Sequence, residues 1–171
     1  MTVFVALLQA VNVGGTGKLP MADLRSMAEN IGLQNAATYI QSGNLVFETD
    51  MTAVDVLDRL TEALTSYFGK TPGVVLRSLS ELESLHAQMP FPDAEPNRVL
   101  VTFLAKDAPS DALDAMVAPD GEEAVVLGRE IVVHYPNGSG RSKLKLPALK
   151  QGTARNLNTV RKLLDLARER V

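Results

Sequence analysis

The chain has 171 residues, enough for one ordinary domain or two small subdomains sharing an interface. Hydrophobic residues at 46% and charged residues at 22% exclude a disordered chain, and low aromatic content (5%, no Trp) leaves Val, Leu, Ala and Met to fill a core. The net charge is −3 and there is no cysteine, which excludes disulfides and thiolate metal sites. No apolar run approaches the ~18–20 residues of a membrane span. Met1–Val5 enters a strand-like run with no basic n-region and no cleavage site. A cytoplasmic protein without a signal peptide is therefore expected.

The charge is unevenly distributed. From Arg141 onward nine basic residues face two acidic ones, a net of +7, whereas residues 1–140 hold eight basic and eighteen acidic, a net of −10. Such a split fits a site for an anionic partner, and it fits equally a C-terminal segment that docks on the acidic body.

In chain order, Val3–Gln9 reads as a buried strand ending in the loop Asn12-Val13-Gly14-Gly15. Pro20 suits a first helical turn. Met21, Leu24, Met27, Ala28 and Ile31 recur at helical spacing up to Gly32, a C-cap glycine. Ala37–Gln41 and Leu45–Glu48 predict a tight hairpin around Ser42-Gly43-Asn44. Asp50 or Thr52 caps a helix with the stripe Val54, Leu57, Leu60, Ala63, Leu64 and Phe68, which stops at Gly69 before a strand over Gly73–Arg77. This β-α-β-β-α-β order is the split βαβ, or ferredoxin-like, unit.

The remainder reads as an incomplete echo. A helix over Ser80–Met89 is broken by Pro90-Phe91-Pro92 and followed by a strand over Val99–Leu104. A helix over Ser110–Val117 with a Ser110 cap comes next, then a hairpin of Glu123–Leu127 and Glu130–Tyr135 around Gly128-Arg129. The chain closes with a helix over Asn158–Arg170, preceded by Thr153, Asn156 and Asn158 as alternative caps. The expected fold is α+β: two duplicated ferredoxin-like halves over residues 1–78 and 79–171, with antiparallel sheets and helices packed on one face.

Candidate chemistry lies in the loops. Asn12–Lys18 is glycine-rich between a strand and a helix, a context that cradles phosphate, yet it matches neither Gly-x-x-x-x-Gly-Lys-Ser/Thr nor Gly-x-Gly-x-x-Gly. Ser42-Gly43-Asn44 offers a hydroxyl and an amide, but only His86 and His134 are available as bases and Gly-x-Ser-x-Gly is absent. Two isolated histidines make no standard zinc site, and no cofactor or metal is called for. Arg141 and Lys143 stand in the polar loop Tyr135–Lys143, and Arg155 and Asn156 stand at a helix start. Arg155 suits bidentate binding of a carboxylate or phosphate, and suits equally fixing the last helix to an acidic body.

Taken in order, Asn12-Val13-Gly14-Gly15, Pro20–Arg25, Thr38–Phe47, His134–Gly138, Arg141–Leu144 and Thr153–Asn156 resemble the bacterial domain-of-unknown-function family 1697 (DUF1697) across essentially the whole chain. The resemblance implies a duplicated ferredoxin-like fold and no established activity, so it carries over no catalytic residues. This chain departs from the family's pattern at Gln9-Ala10 (commonly Arg-Gly), at Leu157 (commonly Trp), and in a shortened segment between Leu144 and Thr153.

The leading expectation is a binding protein for a small anionic ligand, using Asn12, Gly14, Gly15, Ser42, Asn44, Arg141, Lys143, Arg155 and Asn156. Alternatives are weak nucleic-acid binding through the basic C-terminal segment, against which the acidity and the scarce aromatics count, and an enzyme on a small phosphorylated or carboxylated metabolite with Lys143 or Ser42 as chemistry. No membrane partner is expected.

Overall fold

The computed structural model describes residues 1–9 and 18–171. The chain divides into two compact units: Met1–Glu83 with Leu163–Val171, and Ser84–Lys162.

The first unit runs β1 (Thr2–Leu8), α1 (Met21–Asn30), β2 (Gln34–Thr38), β3 (Asn44–Thr49), α2 (Ala53–Phe68) and β4 (Val74–Ser78). Its sheet is antiparallel with strand order β2-β3-β1-β4, the ferredoxin-like arrangement. Alternate residues Phe4, Ala6 and Leu8 of β1 join Leu45 and Phe47 of β3 in one core with Leu24, Ala28, Val56, Leu60 and Leu64 of the two helices. The period of two in the strands and of 3.6 in the helices thus meet on a single apolar face.

The helix ends follow the expected chemistry. Thr52 Oγ1 accepts from the Asp55 backbone N–H at 3.2 Å, and Gly69 closes α2 at φ 74° with its N–H on Thr65 O. Gly32 (φ 95°) ends α1 with a paired lock: its N–H bonds Glu29 O while the Leu33 N–H bonds Ala28 O. Pro20 stands one position before the helix, at its N-cap, and its carbonyl receives the first helical N–H groups.

The hairpin differs from the tight turn expected. Its loop is Tyr39–Gly43, closed by Tyr39 N–H to Asn44 O at 3.1 Å, and β2 begins at Gln34 rather than Ala37. Asn44 belongs to β3 and is fully buried. Its amide donates to Tyr39 O at 2.8 Å and to Ser42 Oγ at 3.0 Å, so a strand side chain braces the loop from within. Ile40, β-branched and exposed, takes φ 51°, a left-handed conformation that costs about 1–2 kcal/mol and that only a braced loop retains.

The second unit contains β5 (Val99–Leu104), β6 (Glu123–Leu127), β7 (Glu130–His134) and β8 (Gly152–Asn156) in the order β6-β7-β5-β8, the same arrangement as the first sheet. The two-residue link Gly128-Arg129 occupies the place that the Tyr39–Gly43 loop holds in the first unit. The echo extends to detail. In the register, β4's Arg77 stands opposite Val5 and β8's Arg155 opposite Val101. Each strand runs straight into a helix, α3 (Leu79–Ala87) after β4 and α4 (Leu157–Arg168) after β8. Ser78 and Glu81 form a reciprocal capping box at α3, and Asn156 Oδ1 accepts the Thr159 N–H at 2.9 Å at α4.

Two expectations need correction here. No helix forms over Ser110–Val117. The segment makes successive i→i+3 turns between Pro109 and Pro119, and Val117 pairs with Lys145 in an isolated bridge. Nine residues between two prolines are too few to repay helix nucleation when a bridge competes. Residues 153–156 form a strand rather than a pre-helical loop, because β5 offers them a full antiparallel ladder. The equivalents of α1 and α2 are thus replaced in this unit by irregular crossings and a short 3-10 helix, Pro147–Gln151.

Gly152 marks a close approach in that ladder. A Cβ there would collide with the Phe103 carbonyl oxygen and stand 2.8 Å from Leu104 Cδ2 and Thr102 Cγ2. Gly152→Ala is expected to lower unfolding free energy by about 1–3 kcal/mol in urea denaturation. An unchanged midpoint would contradict this packing of β8 on β5.

Candidate functional site: a mixed-charge cleft

The sequence candidates separate into distinct places. Asn12, Gly14 and Gly15 lie outside the described residues. Ser42 and Asn44 belong to the braced hairpin of the first unit, with the Ser42 hydroxyl exposed and the Asn44 amide committed to the loop. Arg155 and Asn156 end β8. The Arg155 guanidinium is 6% exposed and donates to Thr153 Oγ1 at 2.6 Å and to Ala154 O at 2.9 Å. Burial pushes it down to about 10, so it stays protonated at neutral pH. Of the three possible helix caps, Asn156 is the one whose side chain receives the Thr159 N–H.

Arg141 and Lys143 are brought together. Both line a cleft of about 600 Å³ within the second unit, lined by Pro119, Asp120 and Glu122 from one segment of the chain and by Tyr135–Gly138 and Arg141–Lys143 from another. That volume is in the range of small-molecule sites. Neither cation makes an ion pair or hydrogen bond with any described residue, and both are exposed.

A buried carboxylate ties the two segments. Glu122, 5% exposed, accepts the Ser142 hydroxyl at 2.8 Å on Oε1 and the Asp120 backbone N–H at 2.9 Å on Oε2. Ser142 Oγ in turn receives the Leu144 N–H at 3.1 Å, which fixes the loop's course. Burial pushes the Glu122 carboxyl up, but the hydrogen bonds from its own backbone, Ser142 and Asp120 outweigh burial and hold it below the ordinary carboxylate value. Arg141 and Lys143 flank Ser142 in the chain and line the same cleft.

Tyr135 is a further lining residue. It is 8% exposed and packs with Ile131, Val133 and Leu146. Burial, and then the nearby Glu122 charge, raise its phenol above the ordinary value, so at neutral pH it carries its proton. Its hydroxyl makes no hydrogen bond with any described residue. Asp120, Glu122 and Tyr135 escaped sequence reasoning as site residues. Asp120-Gly121-Glu122-Glu123 reads as a solvated acidic turn, and nothing in the pattern marks Glu122 as buried.

Elsewhere, Phe91 (φ 62°) lies against His134 with ring centroids 5.5 Å apart, and His86 is exposed at the end of α3. Among the described residues no group of three His, Asp or Glu side chains could hold a metal ion, and no helix is long and apolar enough to cross a membrane. The basic C-terminal segment is partly committed internally. Arg168 Nε and Nη2 each bond Glu83 at 2.7 Å, and Arg170 donates to Asn35 O and Leu166 O.

Comparison with known proteins agrees with this architecture. The family described as "Protein of unknown function (DUF1697)" matches residues 1–132, and the chain belongs to it. The cleft's Tyr135–Lys143 wall lies beyond the matched span. The solved structure of the conserved bacterial protein SP0830 from Streptococcus pneumoniae is similar, with TM-score 0.81 at 23% identity over 97% of this chain and 98% of that one. That likeness shows the fold alone. No curated protein matches the chain.

Two outcomes test these assignments. Arg155→Ala should lower stability by about 2–4 kcal/mol through lost hydrogen bonds and a cavity, and Asn156→Ala by about 1 kcal/mol through the lost cap. Arg141→Ala and Lys143→Ala should stay within about 0.5 kcal/mol of the parent. The second outcome concerns acid. The folded state holds the Glu122 proton less tightly than the unfolded chain does. Its contribution is therefore full above the ordinary carboxylate value and lost as pH falls through the depressed one. Thermal melts of Glu122→Gln should accordingly fall less steeply on acidification than those of the parent; parallel curves would remove Glu122 from the linkage.

Proposed function

We propose that the protein binds a small anionic ligand in the cleft of the second unit, held by Arg141 and Lys143. The observation that supports this most is the pairing of two uncommitted cations with a wall fixed by the Glu122–Ser142 hydrogen bond. Lone surface cations are ordinarily just solvated. Here the backbone carrying them is anchored at Ser142 and Leu144, so less ordering cost falls on binding. The Tyr135 hydroxyl, protonated and without a partner among the described residues, adds a neutral donor to the cleft.

In this reading Ser42, Asn44, Arg155 and Asn156 support the fold and do not touch the ligand. Arg155 is internally hydrogen-bonded, Asn156 caps α4, and Asn44 braces its loop. The Ser142 hydroxyl is donated to the Glu122 carboxylate, and that bond fixes the course of the loop that carries the two cations. Binding is the function the geometry supports best.

Calorimetric titration of the full chain with small phosphates and carboxylates should find salt-sensitive binding. Arg141→Ala and Lys143→Ala should each weaken it roughly tenfold or more, about 1.4 kcal/mol per tenfold, with the free protein's melting temperature unchanged. Affinity that survives both substitutions would move the site elsewhere.

A further inference from the structure

Opposite charges line the cleft without meeting. Asp120 is an exposed carboxylate lining the cleft, and Arg141 and Lys143 are exposed cations lining the same cleft. No ion pair or hydrogen bond joins them, and the Asp120 side chain bonds no described residue. Flexible side chains of opposite sign on adjoining loops ordinarily drift together, since at contact they gain charge-assisted hydrogen bonds. Glu122 Oε2 holds the Asp120 backbone, and Glu122 Oε1 holds Ser142 between the two cations. The buried carboxylate therefore ties the Asp120 turn to the Arg141–Lys143 loop beside a cleft lined by charges of both signs.

A purely anionic ligand answers only half of such a site, because it would leave the Asp120 charge facing it. Like charges brought together in a partly desolvated cleft oppose binding, and a site so built discriminates against them. A ligand with a cationic group at its other end answers both signs of charge. We infer that the cleft selects a small zwitterion: a phosphate or carboxylate taken by Arg141 and Lys143, and an ammonium taken by Asp120. Tyr135, which carries its proton and lines the same cleft, donates its hydroxyl to an oxygen of the ligand. This inference rests on the anion-binding reading above and adds the second charge to it.

Matched probes separate the two ideas. The full chain is titrated calorimetrically at low salt with phosphoethanolamine against methyl phosphate, and with β-alanine against propionate. The amine-bearing member of a pair should bind at least tenfold more tightly than its amine-free counterpart. Asp120→Asn should abolish that preference while leaving methyl phosphate bound as well as before or better. Lys143→Ala should weaken both members together. Asp120 is exposed, and an unchanged melting temperature of the variant shows that its fold is intact. Equal affinities within each pair, or a preference that persists in Asp120→Asn, would overturn the zwitterion inference and leave anion binding standing. No heat from any probe at millimolar concentration would overturn both.

Discussion

The Glu122 carboxylate is the interaction on which the cleft depends. It sits at the start of β6, is buried, and spends its two oxygens on two separate loops: the Asp120 turn before the strand and the Arg141–Leu144 loop after the β6–β7 hairpin. A buried carboxylate without partners would be costly, and one bonded in this way becomes a rigid strut. Everything proposed for the site follows from that strut. It holds Ser142, between Arg141 and Lys143, and the Asp120 backbone on one carboxylate.

The duplication explains why the strut lies in the second unit. Both sheets have the same strand order, and both pass from their last strand straight into a capped helix, with Arg77 and Arg155 at matching register. In the first unit the crossings between strands are α1 and α2, which seal one face of the sheet with apolar side chains. In the second the corresponding crossings are irregular. Irregular backbone must satisfy its polar groups through local side chains, and Glu122 and Ser142 do so. Where the first unit has two helices the second has loops, which pack apolar residues on the sheet and also carry the residues that line the polar cleft.

Much of this was legible in the sequence. The periodicities of Val3–Leu8 and of the Val54–Phe68 stripe placed β1 and α2, although Val54 is exposed and Val56 is the buried residue of that turn, and Gly32 and Gly69 placed two helix ends, because these signals are local. The DUF1697 resemblance pointed to the family to which the chain belongs. The misses share a cause. Thr153–Asn156 carries helix-capping residues, yet becomes a strand because β5, some fifty residues earlier, needs a neighbour. Ser110–Val117 has helical spacing, yet its turns are settled by two prolines and by Lys145 across the fold. Asp120-Gly121-Glu122-Glu123 looks like any solvated turn, since burial of one glutamate among four polar residues is a tertiary fact. For the site, the pair Arg141 and Lys143 was readable as cations in a glycine-rich loop. Their partners Asp120, Glu122 and Tyr135 were not, because the contact between residues 120–122 and 142 exists only once the hairpin is folded.

The most direct test of the account is to map where a ligand touches the chain. In amide-resolved NMR titration of the labelled full chain with phosphoethanolamine, the account predicts saturable shifts confined to residues 119–122 and 135–144. The same titration of Glu122→Gln should spread or lose those shifts, because the Asp120 turn and the Ser142 loop are no longer tied by the carboxylate. Saturable shifts centred on the Tyr39–Gly43 hairpin or on β8, with the 119–122 and 135–144 amides unmoved, would contradict it.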